Sequence, residues 1–185
     1  MEKLINLTDE ALMELLQTGS SNAFEEIYNR YSKPLLSLMY SLLNNKEALA
    51  QDLLHDVFLK LIEKPEQFDT KRRFKPWFYT VATNECRKAF RQKITSSREQ
   101  IVNENLGSSP PSDILQRQDK AKILGLALNK LSYEHKEVFV LKHMNEMSIS
   151  EIAHLISCAE GTVKSRLYSS RNKLAQILKS YQYKL

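Results

Sequence analysis

The residues with the clearest chemical potential are cations and hydroxyls near the end of the chain, in the stretch EGTVKSRLYSSRNKL from Glu160 to Leu174. From Gly161 to the last residue the chain has six lysines and arginines and no acid. Such side chains at helical spacing can contact DNA phosphates and base edges. Exposed amides at Gly161 and Thr162 would add a phosphate contact. The alternative is a solvated amphipathic helix without a ligand.

The segment just before this stretch favours the DNA-binding alternative. Ser148 and Glu151 have the spacing of a capping box, which predicts a helix start at Ile149. A short break at 157–159 separates that helix from a second one. The apolar positions of the two helices are Ile149, Ile152, Ala153 and Ile156 in the first, and Val163, Leu167, Leu174 and Leu178 in the second. A capped helix, a tight turn and a basic second helix predict a helix-turn-helix that enters the major groove.

A second cationic segment covers residues 71–93, with eight basic residues against one acid, Glu85. Aromatic residues alternate with the cations, and that combination suits single-stranded DNA because cations follow the backbone while rings stack on bases. Some of the rings belong to the core, since Phe78, Val81 and Ala82 have helical spacing. The predicted DNA-facing set is Lys71, Arg72, Arg73, Lys75, Asn84, Arg87, Lys88 and Arg91.

An acidic face marks the helix AQDLLHDVFLKLIEK. Its predicted buried side is Leu49, Leu53, Val57 and Leu61, with Ile62 as a weaker candidate. The opposite side carries Asp52, His55, Asp56, Leu59 and Glu63. An exposed leucine among acids in a basic protein indicates a protein-binding surface, although an ordinary charged helix face has the same pattern.

Helices account for most of the remaining chain. Starts are predicted near Thr8 and over AFEEIYNRY, Pro34 would lie in the first turn of a third helix ending at Leu43, and a long helix follows from about Lys46 to Lys64. Residues 95–113 have linker composition, and apolar periodicity resumes after them. The expected fold class is all-α, with two small helical domains at 1–93 and 118–185 and a flexible linker at 94–117.

The composition limits the classes of function that the chain can have. The net charge of +5 favours an anionic partner without naming it. Cys86 and Cys158 stand alone in apolar surroundings, and no motif for a metal site, nucleotide loop or nucleophile–base pair is present. We therefore expect neither cofactor nor enzymatic activity. The longest nearly apolar run, at 35–43, is too short to span a bilayer, so no membrane insertion is expected.

The motifs together resemble a known family. SISEIAHLISCAEGTVKSRLYSSRNKL resembles the fourth conserved region of sigma-70 family sigma factors, in particular the extracytoplasmic-function (ECF) group. AFEEIYNRY, DLLHDVFLKL and FKPWFYTVATNECRKAFR resemble region two of that group in order and spacing. The resemblance covers residues of about 8–92 and 118–178.

The resemblance implies a promoter-specificity subunit that directs core RNA polymerase to promoter DNA. It implies that the acidic helix face docks on the polymerase clamp and that segment 71–93 recognises and melts the −10 element. The −35 element would be read by Thr162, Lys164, Ser165, Arg166, Tyr168 and Arg171. It further implies an anti-sigma partner, often membrane-anchored, and a cytoplasmic protein that joins the nucleoid when active.

Three positions depart from the family pattern. Ser157 stands where the turn usually has glycine, which predicts a strained turn. An arginine common at the position of Ser169 is missing, so the −35 sequence preference stays open, and His55 replaces the usual glutamine. Two alternatives without polymerase also fit parts of the chain. One is a DNA-binding regulator that acts alone, and the other is a single-strand nucleic-acid chaperone that uses 71–93.

Overall fold

The computed structural model describes residues 4–99 and 117–182, with side chains described over 4–92 and 122–179. Within these ranges every regular element is helical, as the sequence predicts. No helix there is long and apolar enough to cross a membrane. The helices are α1 (Asp9–Gln17), α2 (Ser21–Leu42), α3 (Glu47–Glu63), α4 (Phe74–Glu99), α5 (Arg117–Leu128), α6 (Tyr133–His143), α7 (Ile149–Leu155) and α8 (Glu160–Gln182), with a 3-10 helix at Pro65–Gln67.

Aromatic rings pack α2, α3 and α4 together. Phe58, Phe74 and Phe78 are buried, and the ring centroids of Phe58 and Phe78 lie 5.3 Å apart in edge-to-face geometry. Tyr31 on α2 makes an edge-to-face contact with Phe74 at 5.3 Å. Such pairs contribute about 0.5–1.5 kcal/mol beyond the area they bury. The rings thereby fix where α4 lies relative to the two helices before it.

Acidic residues at the start of α1 hold two other elements in place. The Glu10 carboxylate accepts the backbone N–H of Phe74 at 2.8 Å, which satisfies a free donor at the start of α4. The Asp9 carboxylate accepts a hydrogen bond from Nη1 of Arg30 at 2.8 Å and another from the hydroxyl of Tyr31. Burial, together with this hydrogen bond to Asp9, raises the pKa of Tyr31. The first helix is therefore tied to α2 and to the basic helix α4.

The prediction of a helix boundary at Pro34 is wrong. Pro34 lies inside the continuous 22-residue helix α2 rather than in the first turn of a new one. Proline removes one backbone hydrogen bond and usually kinks a helix interior. Here Tyr31, Leu35 and Leu38 around it are buried, so tertiary packing maintains the helix across the missing bond.

The second half confirms the predicted helix-turn-helix. Oγ of Ser148 accepts the N–H of Glu151 at 3.1 Å, and the Glu151 carboxylate accepts the N–H of Ser148 at 2.9 Å, which completes the capping box. This bond to the Ser148 N–H lowers the pKa of Glu151. The turn to α8 passes through Ser157 with φ of 53°, a left-handed conformation that strains a residue other than glycine, as expected.

The apolar stripe of α8 is also as predicted, with one addition. Val163, Leu167 and Leu174 are buried, and Leu178 is half-buried. Ser170, which the sequence places among the polar residues, is buried as well. Its hydroxyl contacts the carbonyl oxygens of His135 at 2.9 Å and Arg166 at 2.6 Å. The hydroxyl thereby links α8 to α6.

The two halves pack directly against each other. Helices α2 and α4 contact α6 and α7, an arrangement that the sequence did not predict. Helix α4 continues to Glu99, so residues 94–99 of the predicted linker are helical. The rest of that predicted linker up to residue 116 lies outside the described residues.

Candidate functional site

The predicted acidic face of α3 is fully exposed. All five of its residues, Asp52, His55, Asp56, Leu59 and Glu63, lie on the solvent side, and Leu59 is 43% exposed. Ile62, three residues after Leu59 on the same side, is 47% exposed, so its predicted burial is wrong. An exposed leucine and isoleucine among carboxylates can bury apolar area against a partner while the acids contact its cations.

The buried side of α3 is rotated slightly from the prediction. Val57 and Leu61 are buried as expected, whereas Leu49 and Leu53 are half-buried. Ala50, Leu54 and Phe58 are also buried, although the sequence pattern did not predict it. The Phe58 ring lies between α2 and α4, where it contacts the rings of Tyr28 and Phe78. This rotation explains why Ile62 faces solvent.

The predicted DNA-facing set of the first half is divided between two sides of α4. Asn84, Arg87, Lys88 and Arg91 have i, i+3, i+4, i+7 spacing and share one side of the helix. Lys75 lies about half a turn away, with Nζ 5.9 Å above the ring of Tyr79. The remaining three, Lys71, Arg72 and Arg73, lie on the exposed turn before the helix.

Several of these cations already have acidic partners. Arg72 pairs with Asp69 at 3.5 Å on the same turn. Two other arginines reach the second half of the chain, where Arg73 pairs with Glu151 at 3.1 Å and Arg87 pairs with Glu137 at 2.7 Å. The predicted DNA surface is therefore partly occupied by carboxylates of α6 and α7.

The aromatic residues of segment 71–93 belong mainly to the core. Phe74, Phe78 and Tyr79 are buried, and Trp77 and Phe90 are half-buried. The Phe90 ring packs on Tyr133 of α6, with centroids 4.8 Å apart. A base can stack only on an exposed ring face, so this arrangement does not offer the platform that a single-strand chaperone needs.

The predicted −35 set is likewise divided on α8. Lys164, Tyr168 and Arg171 share one exposed side at i, i+4, i+7 spacing, and Tyr168 is 71% exposed. Ser165 is also exposed and bonds the carbonyl oxygen of Thr162 at 3.0 Å. The N–H of Thr162 donates to Ala159 at 2.9 Å, so that amide is not available for a phosphate. Thr162 and Arg166 lie on another side and are half-buried.

Arg166 faces a cavity between the two halves. The cavity has a volume of about 320 Å³ and is lined by Arg87, Phe90, Arg91, Tyr133, Glu134, Glu137, Ile156 and Arg166. Glu137 is 2% exposed there. Burial raises the pKa of its carboxyl, whereas the charges of Arg87 and Arg166 and the hydrogen bond from Arg87 act in the opposite direction. One arginine from each predicted DNA-binding set thus lies near the same buried carboxylate.

The sequence reading missed the residues that join the two halves. Asn44, Lys136, Glu137 and Asn145 lie at that interface. No repeat or capping motif marks them, because each partner lies far away in the chain. The signal that could have been noticed is the adjacent pair Lys136 and Glu137, which directly precedes the apolar run Val138 to Leu141 in the same short helix.

Two family models of the same protein family match different parts of the chain. The family model Sigma-70 region 2 matches residues 27–94, and the model Sigma-70, region 4 matches residues 121–174. Together they cover about two thirds of the chain. The chain is 29% identical over 170 residues to RNA polymerase sigma factor CarQ of Myxococcus xanthus, an alignment that covers 90% of this chain and 95% of that protein.

Other similar proteins agree in type. ECF RNA polymerase sigma factor SigW of Bacillus subtilis is 26% identical over 178 residues, with 89% of this chain and 93% of SigW covered. Among solved structures, the sigma factor RpoE of Bartonella quintana, crystallised with the anti-sigma factor NepR, has a TM-score of 0.69 and 28% identity over 84% of this chain and 96% of that one. CnrH, solved with the cytosolic domain of CnrY, has the same fold, with a TM-score of 0.71 at 22% identity over 93% of this chain and 97% of CnrH.

Proposed function

The chain belongs to the sigma-70 family and is an RNA polymerase sigma factor of the extracytoplasmic-function type, and from this premise we propose which surface performs each step of initiation. Residues 1–93 form the domain that binds polymerase and melts the −10 element. Residues 118–185 form the domain that binds the −35 element, and 94–117 link the two. The chain acts as an initiation factor, and the chemistry of RNA synthesis belongs to the polymerase.

Core polymerase binds the acidic face of α3, formed by Asp52, His55, Asp56, Leu59 and Glu63. The observation that carries this assignment is that the whole face stays exposed while its neighbours α2 and α4 pack against α6 and α7. The acids would meet cations on the clamp, and Leu59 would enter an apolar site between them.

Promoter DNA binds the two cationic sets. The −10 strand follows Lys71, Arg72, Arg73, Lys75, Asn84, Arg87, Lys88 and Arg91, and the −35 element meets Thr162, Lys164, Ser165, Arg166, Tyr168 and Arg171. A flipped base costs a few kcal/mol to unstack, and weakly paired sequence lowers that cost. Neither set needs high affinity alone, because attachment to polymerase raises the effective concentration of each.

An anti-sigma protein is the proposed inhibitor. RpoE of Bartonella quintana, which has the same fold at 28% identity, was crystallised with its anti-sigma factor NepR. Membrane attachment of the partner is a prediction from the family resemblance. Because the chain works with polymerase on promoter DNA, we place it in the cytoplasm and, when active, at the nucleoid.

Co-elution with core RNA polymerase tests the polymerase assignment. The wild type should co-elute on size exclusion, and Asp52→Arg/Asp56→Arg should not, because two reversed charges would repel the clamp. Glu14→Arg/Glu66→Arg makes the same change in net charge at exposed positions outside α3 and should still co-elute. If both double variants co-elute equally, the face is assigned wrongly, and run-off transcription would show whether another surface binds polymerase.

A further inference from the structure

A short loop between α3 and α4 carries three of the cations assigned to the −10 set. After the 3-10 helix the chain runs through residues 68–73, here called the 68–73 loop, and enters α4 at Phe74. The three cations, Lys71, Arg72 and Arg73, are consecutive and exposed. Adjacent like charges repel one another, so the loop needs attachments elsewhere to keep a single conformation.

Two buried rings close the base of the 68–73 loop. Phe68 and Phe74 are buried, and their ring centroids lie 5.2 Å apart in edge-to-face geometry. Above them the chain turns on Asp69, whose carboxylate accepts the N–H of Lys71 at 3.1 Å and whose carbonyl oxygen accepts the N–H of Arg72 at 2.9 Å. The direction of the three cations therefore depends on how the backbone is held at the base.

Gln17, the last residue of α1, holds the start of the loop. Its side-chain Nε2 donates to the carbonyl oxygens of Pro65 at 3.0 Å and Phe68 at 2.9 Å. One amide group thereby bonds two carbonyls that lie 48 and 51 residues further along the chain. These two bonds fix the direction in which the loop leaves the 3-10 helix.

Glu10, also on α1, holds the end of the loop. Its carboxylate accepts the backbone N–H of Phe74 at 2.8 Å. The spacing of seven residues between Glu10 and Gln17 places both side chains on one side of α1. This helix lies outside residues 27–94, which the region 2 family model matches. The loop is therefore attached at both ends to an element that precedes the matched region.

We propose that Gln17 and Glu10 are positioning residues for promoter DNA, which hold the 68–73 loop in the conformation that presents its three cations to the −10 strand. This inference rests on the proposed function, from which it takes the −10 set, and adds α1 to the elements that determine −10 recognition. The physical reason is preorganisation. A loop that is ordered before DNA binds loses little conformational freedom when it binds.

The ion pairs of the loop are less suited to this role. Arg72 pairs with Asp69 at 3.5 Å and Arg73 with Glu151 at 3.1 Å, and both arginine side chains are largely exposed. Exposed ion pairs contribute little to stability, and DNA phosphates compete for the same guanidinium groups. The bonds from Gln17 and Glu10 end on backbone groups, so they persist while the cations pair with phosphates.

Limited trypsin digestion of the full-length chain tests the attachment. Trypsin cleaves after lysine and arginine where the backbone opens locally, and the loop offers three such sites. Gln17→Met keeps a similar length and removes the donor, so cleavage at 71–73 should become about tenfold faster through loss of two hydrogen bonds. Gln176→Met makes the same replacement at an exposed position of α8 and should leave this rate unchanged. Mass spectrometry identifies the cleaved bonds.

Two variants of Glu10 give an independent test from the other end of the loop. Glu10→Ala removes the acceptor for the N–H of Phe74 and should raise the cleavage rate at 71–73 about fivefold. Glu10→Gln keeps an oxygen that can accept the same bond, so it should be cleaved like the wild type. A general loss of stability would accelerate cleavage in α8 as well, whereas a loosened loop changes the rate at 71–73 alone.

Promoter selection links the conformation of the loop to −10 recognition. Core polymerase reconstituted with each variant is incubated with templates randomised across the −10 and −35 elements, and the DNA retained in heparin-resistant complexes is sequenced. Gln17→Met should lower enrichment of the −10 motif at least about fivefold and keep the −35 motif, whereas Glu10→Gln should keep both. A folding defect would weaken both motifs together, so the ratio between them reports positioning.

Each arm has a result that overturns the proposal. Unchanged cleavage at 71–73 in Gln17→Met and Glu10→Ala would show that α1 does not hold the loop. Unchanged −10 enrichment in variants with a loosened loop would show that its conformation does not matter for recognition. If wild-type complexes enrich a −35 motif but no −10 motif, the assignment of the −10 set fails and the inference fails with it. The trypsin result separates these cases, because it requires neither polymerase nor promoter.

Discussion

Lys136 is the buried charge whose replacement has the most predictable effect. Its side chain is 2% exposed, and its ammonium donates to the amide oxygens of Asn44 and Asn129. Among the described residues no carboxylate lies within ion-pair distance of it. Burial without a counter-charge lowers the pKa of Lys136 from 10.5 to about 8. We expect Lys136→Met, which keeps a side chain of similar length and removes the charge, to stabilise the folded chain.

The expected gain follows from two opposing contributions. A pKa lowered by this much corresponds to ~3 kcal/mol of destabilisation at pH 7, because the amine carries its proton there in both the folded and the unfolded chain. Methionine removes that cost but also two hydrogen bonds worth about 1 kcal/mol each. Asn44 is exposed, so water can replace its lost partner. The net stabilisation is about 1 kcal/mol, which raises Tm by about 2–4 °C for a chain of this size.

The pH dependence of the stability difference distinguishes removal of a buried charge from improved packing by the methionine side chain. Between pH 8 and 10.5 the folded wild type has released the Lys136 proton while the unfolded chain still holds it, so the wild type gains stability as the pH rises. The advantage of Lys136→Met should therefore shrink across this window and reverse at about pH 9, where the cost of the buried charge has fallen to the ~2 kcal/mol of the two hydrogen bonds. Thermal melts followed by circular dichroism at pH 7, 8, 9 and 10 measure the difference.

One control variant and two possible results test this account of Lys136. Lys130→Met removes a lysine at an exposed position of the same half and controls for the loss of charge itself. If Lys136→Met melts below the wild type at pH 7, the amide oxygens stabilise the ammonium more than burial destabilises it. If the difference in Tm is the same from pH 7 to 10, the amine does not lose its proton in this window.

Three further predictions concern single positions. Ser157→Gly should raise Tm by about 2–4 °C, because glycine relieves ~1 kcal/mol of strain at φ of 53°, and a lower Tm would contradict this. Ser148→Ala should lower Tm by about the same amount through loss of the cap of α7, whereas Ser148→Asp should largely preserve it. Burial raises the pKa of the Cys86 thiol to about 12, so at pH 8 a thiol reagent should modify Cys158 in the native chain and Cys86 only after unfolding.

The sequence predicted well wherever the physical cause is local. The capping box at Ser148 and Glu151 involves residues three apart, and the acidic face of α3 follows from helical periodicity alone. The strained turn at Ser157 was also foreseen, because the family pattern has glycine there. Prediction failed at Pro34, where burial of the surrounding residues maintains a helix that local propensity would end.

What the sequence by itself determined is therefore the all-helical class, most helix positions, the family and the two cationic sets. The tertiary structure alone decided which of those cations are available. Arg87 finds Glu137 fifty residues away in the chain, and Arg166 turns toward the same carboxylate from α8. Such pairs leave no periodic signal, because the packing of the two halves brings them together. That packing includes the contact of Phe90 with Tyr133 and the close approach of Asn45 to Gly125, where a Cβ would lie 3.0 Å from Nδ2 of Asn45.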